Sequence, residues 1–227
     1  MVDKTPKFYF SLRSPYSWLA YHDLRHRHPH LIDRLEWIPF WEPGEHMEQE
    51  LNDEGVRFLY TPMSAAKHHY ILRDVRRLAR ERELTIAWPM DEHTDWEVTH
   101  LPYYLAVDQG RGHDYIQAVY RARWQEGDDV CDPKVIAGIF TELGLDPDPA
   151  YHASSDPELR RRGRESLTAV ERDAVFGVPF FTRGWDKYWG IDRLEAFVKA
   201  LPTPSPAAPT QDTRQHATDE GHAGGCG

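Results

Sequence analysis

The chain has 227 residues and only two cysteines, Cys131 and Cys226. Two thiols so far apart, one of them the second-last residue, exclude a disulfide-stapled fold. Low cysteine use also fits a reducing compartment, so a cytoplasmic location is expected. No apolar run is long enough to span a bilayer. The segment Met1 to Lys7 lacks the long apolar stretch of a secretory leader. Positive charge is scarce: 27 Lys and Arg face 37 Asp and Glu, for a formal net charge of -10. That balance argues against nucleic acid and against anionic membrane surfaces as partners. A Gly-x-Ser-x-Gly elbow and a phosphate-cradling loop are both missing, which removes the hydrolase and nucleotide readings. What remains is 40% hydrophobic and 12% aromatic, enough for one sizeable domain or a domain carrying a large insertion.

The apolar pattern predicts three blocks. Lys7–Ser11 reads as a strand, Pro15–His28 as a helix and Leu35–Phe40 as a second strand, so the chain starts β-α-β. Glu42–Tyr60 reads mostly as loop. Helices then follow over Ser64–Arg82, from a capping box at Thr94-Asp95-Trp96-Glu97 through Ala106, and over His113–Gln125. A short helix starts at Asp132-Pro133 and ends near Gly144. Asp146-Pro147-Asp148-Pro149 reads as a break, and Asp156-Pro157 caps a long helix to about Asp173. The last third returns to strands at Pro179–Arg183 and Tyr188-Trp189 around a Gly184–Lys187 turn, then to an amphipathic helix over Asp192–Leu201. From Pro202 the composition shifts to Pro, Ala, Thr and Gly without apolar period, as expected of a disordered tail. The division expected is 1–45 with 174–201 as one domain, 46–173 as a helical insertion, and 202–227 as tail.

Three motifs carry chemistry. Ser14-Pro15-Tyr16-Ser17 follows the first strand; serine is a good N-cap and proline suits the first helical position. Such a helix end favours an anion, including a thiolate, whose parent thiol has an ordinary pKa of about 8.5. Read alone, Ser14 is equally a plain cap. Phe176-Gly177-Val178-Pro179 precedes a strand; it is either a turn or, in a thioredoxin frame, a cis-proline facing the first helix. Trp189-Gly190-Ile191-Asp192-Arg193-Leu194 starts the last helix, where Asp192 is either a cap or part of a carboxylate- or amine-binding end. His22, His26, His28 and His30 cluster, and His22 and His26 have the spacing of a zinc pair, but no Cys or second paired His lies nearby and Arg25 and Arg27 interleave, so a solvated helix face is the reading taken and no metal is expected. Trp37, Trp41, Trp88, Trp96, Tyr103, Tyr104 and Trp124 are assigned mostly to the core, with some as candidates for the wall of an apolar cleft between lobes.

In this order, with a helical block between them, the three motifs resemble the 2-hydroxychromene-2-carboxylate isomerases and kappa-class glutathione transferases. The likeness runs from about Lys7 to Leu201. It implies an α/β, DsbA-like thioredoxin fold with a large helical insertion. By that resemblance Ser14 activates the sulfur of glutathione or another small thiol, with Pro15 and Tyr16 beside it. Val178 pairs with the cysteinyl backbone, and Ile191 and Asp192 hold the γ-glutamyl end. Lys67, at the start of the inserted helix, faces a carboxylate. Two departures are visible: Val56–Met63 has no asparagine where the family often has one, and Ile191 stands where a polar side chain is usual. The implied activity is a thiol-dependent isomerisation of a small unsaturated carbonyl compound. The alternatives are a kappa-like transferase and a non-catalytic binding protein. A dithiol oxidoreductase is disfavoured because both ends of Ser14–Ser17 are serine. The family suggests a homodimer.

Overall fold

The computed structural model describes residues 5–57 and 63–202. The expected tail beyond 202, with Cys226, lies outside the described residues, as do positions 58–62 of the segment where the asparagine was sought.

Four strands form one mixed sheet in the order β2-β1-β3-β4. They are β1 (Lys7–Phe10), β2 (Glu36–Pro39), β3 (Phe180–Arg183) and β4 (Asp186–Trp189). β1 pairs parallel to β2 and antiparallel to β3, and β3 pairs antiparallel to β4. β1 is central and buried along its whole length, which explains its run of aromatics. Its side chains alternate between faces as strand geometry requires. Phe8 and Phe10 enter the main core, where Phe8 stacks on Phe181 at 4.7 Å. Tyr9 enters a smaller cluster on the other face, with Ile38, Val170 and Phe180. Burying each phenylalanine stabilises the fold by about 1.5–3 kcal/mol.

Helix α1 (Pro15–Arg27) links β1 to β2. Between β2 and β3 every element among the described residues is helical: α2 (Glu45–Asp53), α3 (Ala65–Glu81), α4 (Glu97–His100), α5 (Pro102–Asp108), α6 (Gly112–Arg121), α7 (Pro133–Glu142), α8 (Pro147–Tyr151) and α9 (Pro157–Arg172). The last helix is α10 (Leu194–Ala200). This is the expected DsbA-like thioredoxin arrangement with helices between its second and third strands. The end of α9 packs back on the sheet through Ala169 and Val170. α3 is pinned to α1 by Arg82, whose guanidinium forks onto buried Asp23 at 2.7 and 2.8 Å. α9 is pinned to α2 and α4 by Arg160, which reaches Glu50 and buried Glu97 at 2.9 and 2.5 Å.

Four local expectations need correction. Glu42–Tyr60 contains a helix, α2, which buries only Met47 and Leu51, one turn apart; two apolar positions make too weak a period to read. Thr94–Glu97 does not close as a capping box. Asp95 caps Glu97 N–H, and the Glu97 carboxylate accepts from Gly44 N–H instead; Pro102 then divides the predicted helix in two. Asp146–Pro149 does not break the chain, because Asp146 caps a short helix with Pro147 at its first position. The β3–β4 turn is tighter than expected: Arg183 already pairs with Asp186, leaving Gly184-Trp185 as the turn.

Candidate active site

The site is assembled at one end of the sheet, where β1 stops. Its backbone turns through Ser11–Ser14 and enters α1, and this turn is held from beneath by buried groups. The Ser11 carbonyl accepts from Ser14 N–H at 3.1 Å and from the Tyr120 hydroxyl at 3.0 Å. Ser11 N–H donates to Ser17 Oγ at 3.2 Å, so the second serine of the motif faces inward and is committed. Leu12 N–H donates to His100 Nε2 at 3.0 Å. The other ring nitrogen, Nδ1, lies 2.8 Å from the Trp96 carbonyl and carries the ring proton, since a carbonyl can only accept. His100 is fully buried, and that burial pushes its pKa down to about 3, with Arg13 and Arg123 adding to the effect. The imidazole is therefore neutral and locked as one tautomer under the turn.

Ser14 is the N-cap of α1, with extended backbone at φ -86° and ψ 121°. Its Oγ accepts from Ser17 N–H at 3.2 Å. A hydroxyl has two acceptor positions and one hydrogen, so this cap leaves the hydrogen free to be donated outward. Pro15 has no N–H, and Trp18 N–H is taken by the Ser14 carbonyl. Tyr16 N–H is left in the first turn without an acceptor among the described residues. The positive end of α1 and two donors thus meet at Ser14. The Tyr16 side chain turns away: its hydroxyl donates to Asp74 Oδ2 on α3 at 2.7 Å. Burial, the bond to Asp74 and the Asp74 charge all raise its pKa, so it stays protonated.

The Val178–Pro179 peptide bond is cis. β3 runs antiparallel to both neighbours, with Tyr9 opposite Phe180 and Phe180 opposite Trp189. Continuing both registers by two residues puts Val178 between Ser11 and Ile191. The Pro179 carbonyl accepts from Gly190 N–H at 2.9 Å. Neither the N–H nor the carbonyl of Val178 has a hydrogen-bond partner among the described residues. Gly190 sits at φ +99°, and a Cβ there would meet Asp192 Oδ1 at 2.6 Å, so only glycine serves. The 3₁₀ turn Ile191–Arg193 packs on α1. Ile191 is half-buried against the main core. Asp192 does not cap the turn; its carboxylate is exposed, 3.3 Å from Arg193.

Ser14, Pro15 and Tyr16 open α1 at the sheet end where β1 stops, and the strand registers run Val178 and Ile191 toward that same end; Asp192 lies three residues before Glu195, which pairs with Arg27 and His28 at the other end of α1. Lys67 stands apart. It lies in the first turn of α3, exposed, with its N–H on the Ser64 cap and no ion pair to a described residue. It shares a helix face with Asp74, two turns further on, and so lies roughly 10 Å along the axis from the Tyr16 contact. His100, Tyr120 and Asp74 were not among the residues singled out from sequence. Only His100 carries a signal: a histidine between Val98, Thr99 and Leu101 is in a setting where a solvated imidazole is out of place. An exposed aromatic pair, Phe176 and Trp189 with ring centroids 5.0 Å apart, borders the Val178 side of the site. The expected core tryptophans Trp41, Trp96 and Trp124 are buried, while Trp37 and Trp88 are half-buried against the same core.

His22 and His26 stack at 4.1 Å, and among the described residues no group of three or more His, Cys, Asp or Glu could hold a metal. Cys131 is a buried free thiol raised to about 12 by burial, which makes it inert at neutral pH. No helix among the described residues is long and apolar enough to cross a membrane.

Fold and cis-proline define a thioredoxin-like protein without a redox cysteine pair at the start of its first helix. Within that class the chain belongs to the DSBA-like thioredoxin domain family, which it matches over residues 6–202. Among curated proteins it is 26% identical to a 2-hydroxychromene-2-carboxylate isomerase of Sphingobium xenophagum, covering 86% of this chain and 96% of that protein. It is 23% identical to the protein of the same name from Pseudomonas putida, with 86% and 92% covered. Among solved structures it resembles a 2-hydroxychromene-2-carboxylate isomerase with a TM-score of 0.67 at 22% identity, over 86% of this chain and 93% of that one. A cytosolic disulfide reductase of Pseudomonas aeruginosa, solved with glutathione, superposes with a TM-score of 0.58 at 16% identity, over 86% and 96%.

Proposed function

We propose that the chain is an isomerase that works with a borrowed thiol, glutathione, on 2-hydroxychromene-2-carboxylate or a similar unsaturated carbonyl compound. The observation that carries this reading is the committed state of Ser14: its oxygen already accepts the Ser17 N–H, which leaves its hydrogen free to be donated to a group before the helix. A thiolate is the anion that this donor, the free Tyr16 N–H and the helix end would stabilise together. The residues around Ser14 suit a cysteinyl tripeptide. Val178 offers an unpaired N–H and carbonyl, which match a peptide backbone laid alongside it. Asp192 offers an exposed carboxylate to an ammonium group. Ile191 contributes only its backbone N–H and the packing of its side chain. Lys67, exposed in the first turn of α3 two turns from Asp74, would take a carboxylate.

When bound, glutathione supplies a sulfur that adds reversibly to the conjugated system, so that the former double bond rotates before elimination restores it. Ser14 holds the proton balance of that sulfur by donating to its ionised form. His100 and Tyr120 fix the turn that aims Ser14. Phe176 and Trp189 offer a flat apolar flank to the ring of a substrate. The names of the two curated relatives and the glutathione held by a relative of the same fold support this assignment.

The test is turnover of 2-hydroxychromene-2-carboxylate by the full chain with a trace of glutathione. The expected result is isomerisation of many equivalents of substrate with the glutathione recovered. Glutathione consumed one for one would make it a transferase, and turnover unaffected by leaving glutathione out would overturn the reading. Ser14→Ala is expected to lower turnover at neutral pH by about tenfold to a hundredfold, the worth of one charge-assisted hydrogen bond.

A further inference from the structure

A second concavity lies on the flank of α1, away from the Ser14 end. It has a volume of about 360 Å³ and is walled by α1, α6, the segment after α6 and Leu84 beyond α3. That size falls in the range of small-ligand sites, about 300–1,000 Å³. Trp18, Tyr21, His22, Arg25 and His26 line it from α1, one turn and more below Ser14. Tyr120, Gln117 and Arg121 line it from α6, and Gln125 from the segment Ala122–Glu126, where the helix opens into a π turn before ending at Gly127. Such π turns concentrate at functional sites.

Its charge is unusual for this chain. In a protein of net charge -10, the lining contains two arginines and two histidines and no carboxylate. The two arginines differ. Arg121 is already neutralised, by Glu142 and by Glu126 at 3.1 Å. Arg25 has no ion pair with any described residue; its guanidinium lies over the Tyr21 ring, 5.9 Å from the centroid. An unpaired, half-buried guanidinium at a cavity floored by largely buried aromatic side chains suits an apolar body carrying one carboxylate. The fork of Arg25 would take the carboxylate in bidentate fashion. Only the small exposed part of Trp18 and Tyr21, each 4% accessible, would touch the body, and the Gln117 and Gln125 amides would meet a ring hydroxyl.

From these features we propose that this pocket is a binding site for an aromatic monocarboxylate, separate from the thiol site. It stands on Arg25 and the pocket walls and does not depend on Ser14 or on glutathione.

The experiment is calorimetric titration of the full chain with 2-naphthoate and with its uncharged counterpart, 2-naphthamide. Saturable binding of 2-naphthoate is expected, and 2-naphthamide should bind at least about tenfold more weakly. Arg25→Gln should weaken 2-naphthoate by about tenfold or more, and Arg25→Lys by less. Ser14→Ala should leave 2-naphthoate affinity unchanged, and Arg25→Gln should leave glutathione binding unchanged. Absence of saturable binding, equal binding of the amide, or an unchanged affinity in Arg25→Gln would overturn the proposal. Competition between 2-naphthoate and glutathione would also overturn it, by placing the carboxylate at the Ser14 end.

Discussion

His100→Phe is the perturbation whose consequences can be worked furthest. The imidazole accepts Leu12 N–H at 3.0 Å and donates to the Trp96 carbonyl at 2.8 Å. Phenylalanine keeps the stack on Trp41, now 5.1 Å between centroids, and removes these polar contacts together with the 3.4 Å contact of Nε2 with Ser11 Oγ. The Trp96 carbonyl retains the His100 backbone N–H at 3.1 Å and Ser11 Oγ retains the Arg13 N–H at 3.2 Å, so the group left without a partner is Leu12 N–H. A buried donor orphaned in this way costs about 1–3 kcal/mol. The pH dependence sharpens the test. The folded pKa of His100 is about 3, against about 6.5 when unfolded. Because the folded value is depressed, the unfolded chain takes up the proton first. The wild type therefore holds full His100 stability above about pH 6.5 and loses it as pH falls toward 3, by about 1.4 kcal/mol per pH unit. His100→Phe has no such proton to take up. Urea unfolding at about pH 7.5 should show the variant less stable by about 1–3 kcal/mol, and at about pH 5 that gap should close by about 2 kcal/mol. A gap that stays constant between the two pH values would refute the assignment of His100 as a neutral, buried prop of the turn.

Three further outcomes follow from the same contacts. Ser14→Ala removes the cap on Ser17 N–H and should lower unfolding stability by about 1 kcal/mol, measured in urea, alongside its effect on turnover. Arg160→Met leaves the Glu97 carboxylate buried with only the Gly44 N–H, and should destabilise by about 3–5 kcal/mol; adding Glu97→Gln should recover much of that loss in the same assay. Tyr120→Phe frees the Ser11 carbonyl from one of its two donors and should cost about 1 kcal/mol in stability while reducing turnover with little change in glutathione affinity.

Much of the frame was legible because its signals are local. The strand-then-cap pattern at Phe10–Pro15, the Val178-Pro179 pair and the Asp-Pro helix starts at 132 and 156 each follow from neighbours in the chain. The order of strands and the gathering of Ser14, Val178 and Ile191 came through the resemblance, since no single motif fixes who pairs with whom. α2 was missed because two buried residues, Met47 and Leu51, support it, while its packing comes from Arg160 and Arg164 more than a hundred residues away. The capping box at Thr94 failed for the same kind of reason: Glu97 has distant partners in Gly44 and Arg160. His100, Tyr120 and Asp74 escaped notice because their roles lie in contacts across 58 to 109 residues. The pocket beside Arg25 was hidden in a different way. Its histidines were visible as a pair, but Gln117, Arg121 and Gln125 join them only through helix packing.

The central claim is that the hydrogen left free on Ser14 stabilises a thiolate that the protein itself does not supply. Its most direct test is the thiol pKa of protein-bound glutathione, read from thiolate absorbance across pH for the wild type and Ser14→Ala. The wild type should bring that pKa down from about 8.5 toward neutrality, and Ser14→Ala should raise it again by about 1–2 units, the equivalent of one charge-assisted hydrogen bond. A bound thiol that titrates as it does in free solution, or equally in both proteins, would contradict the account.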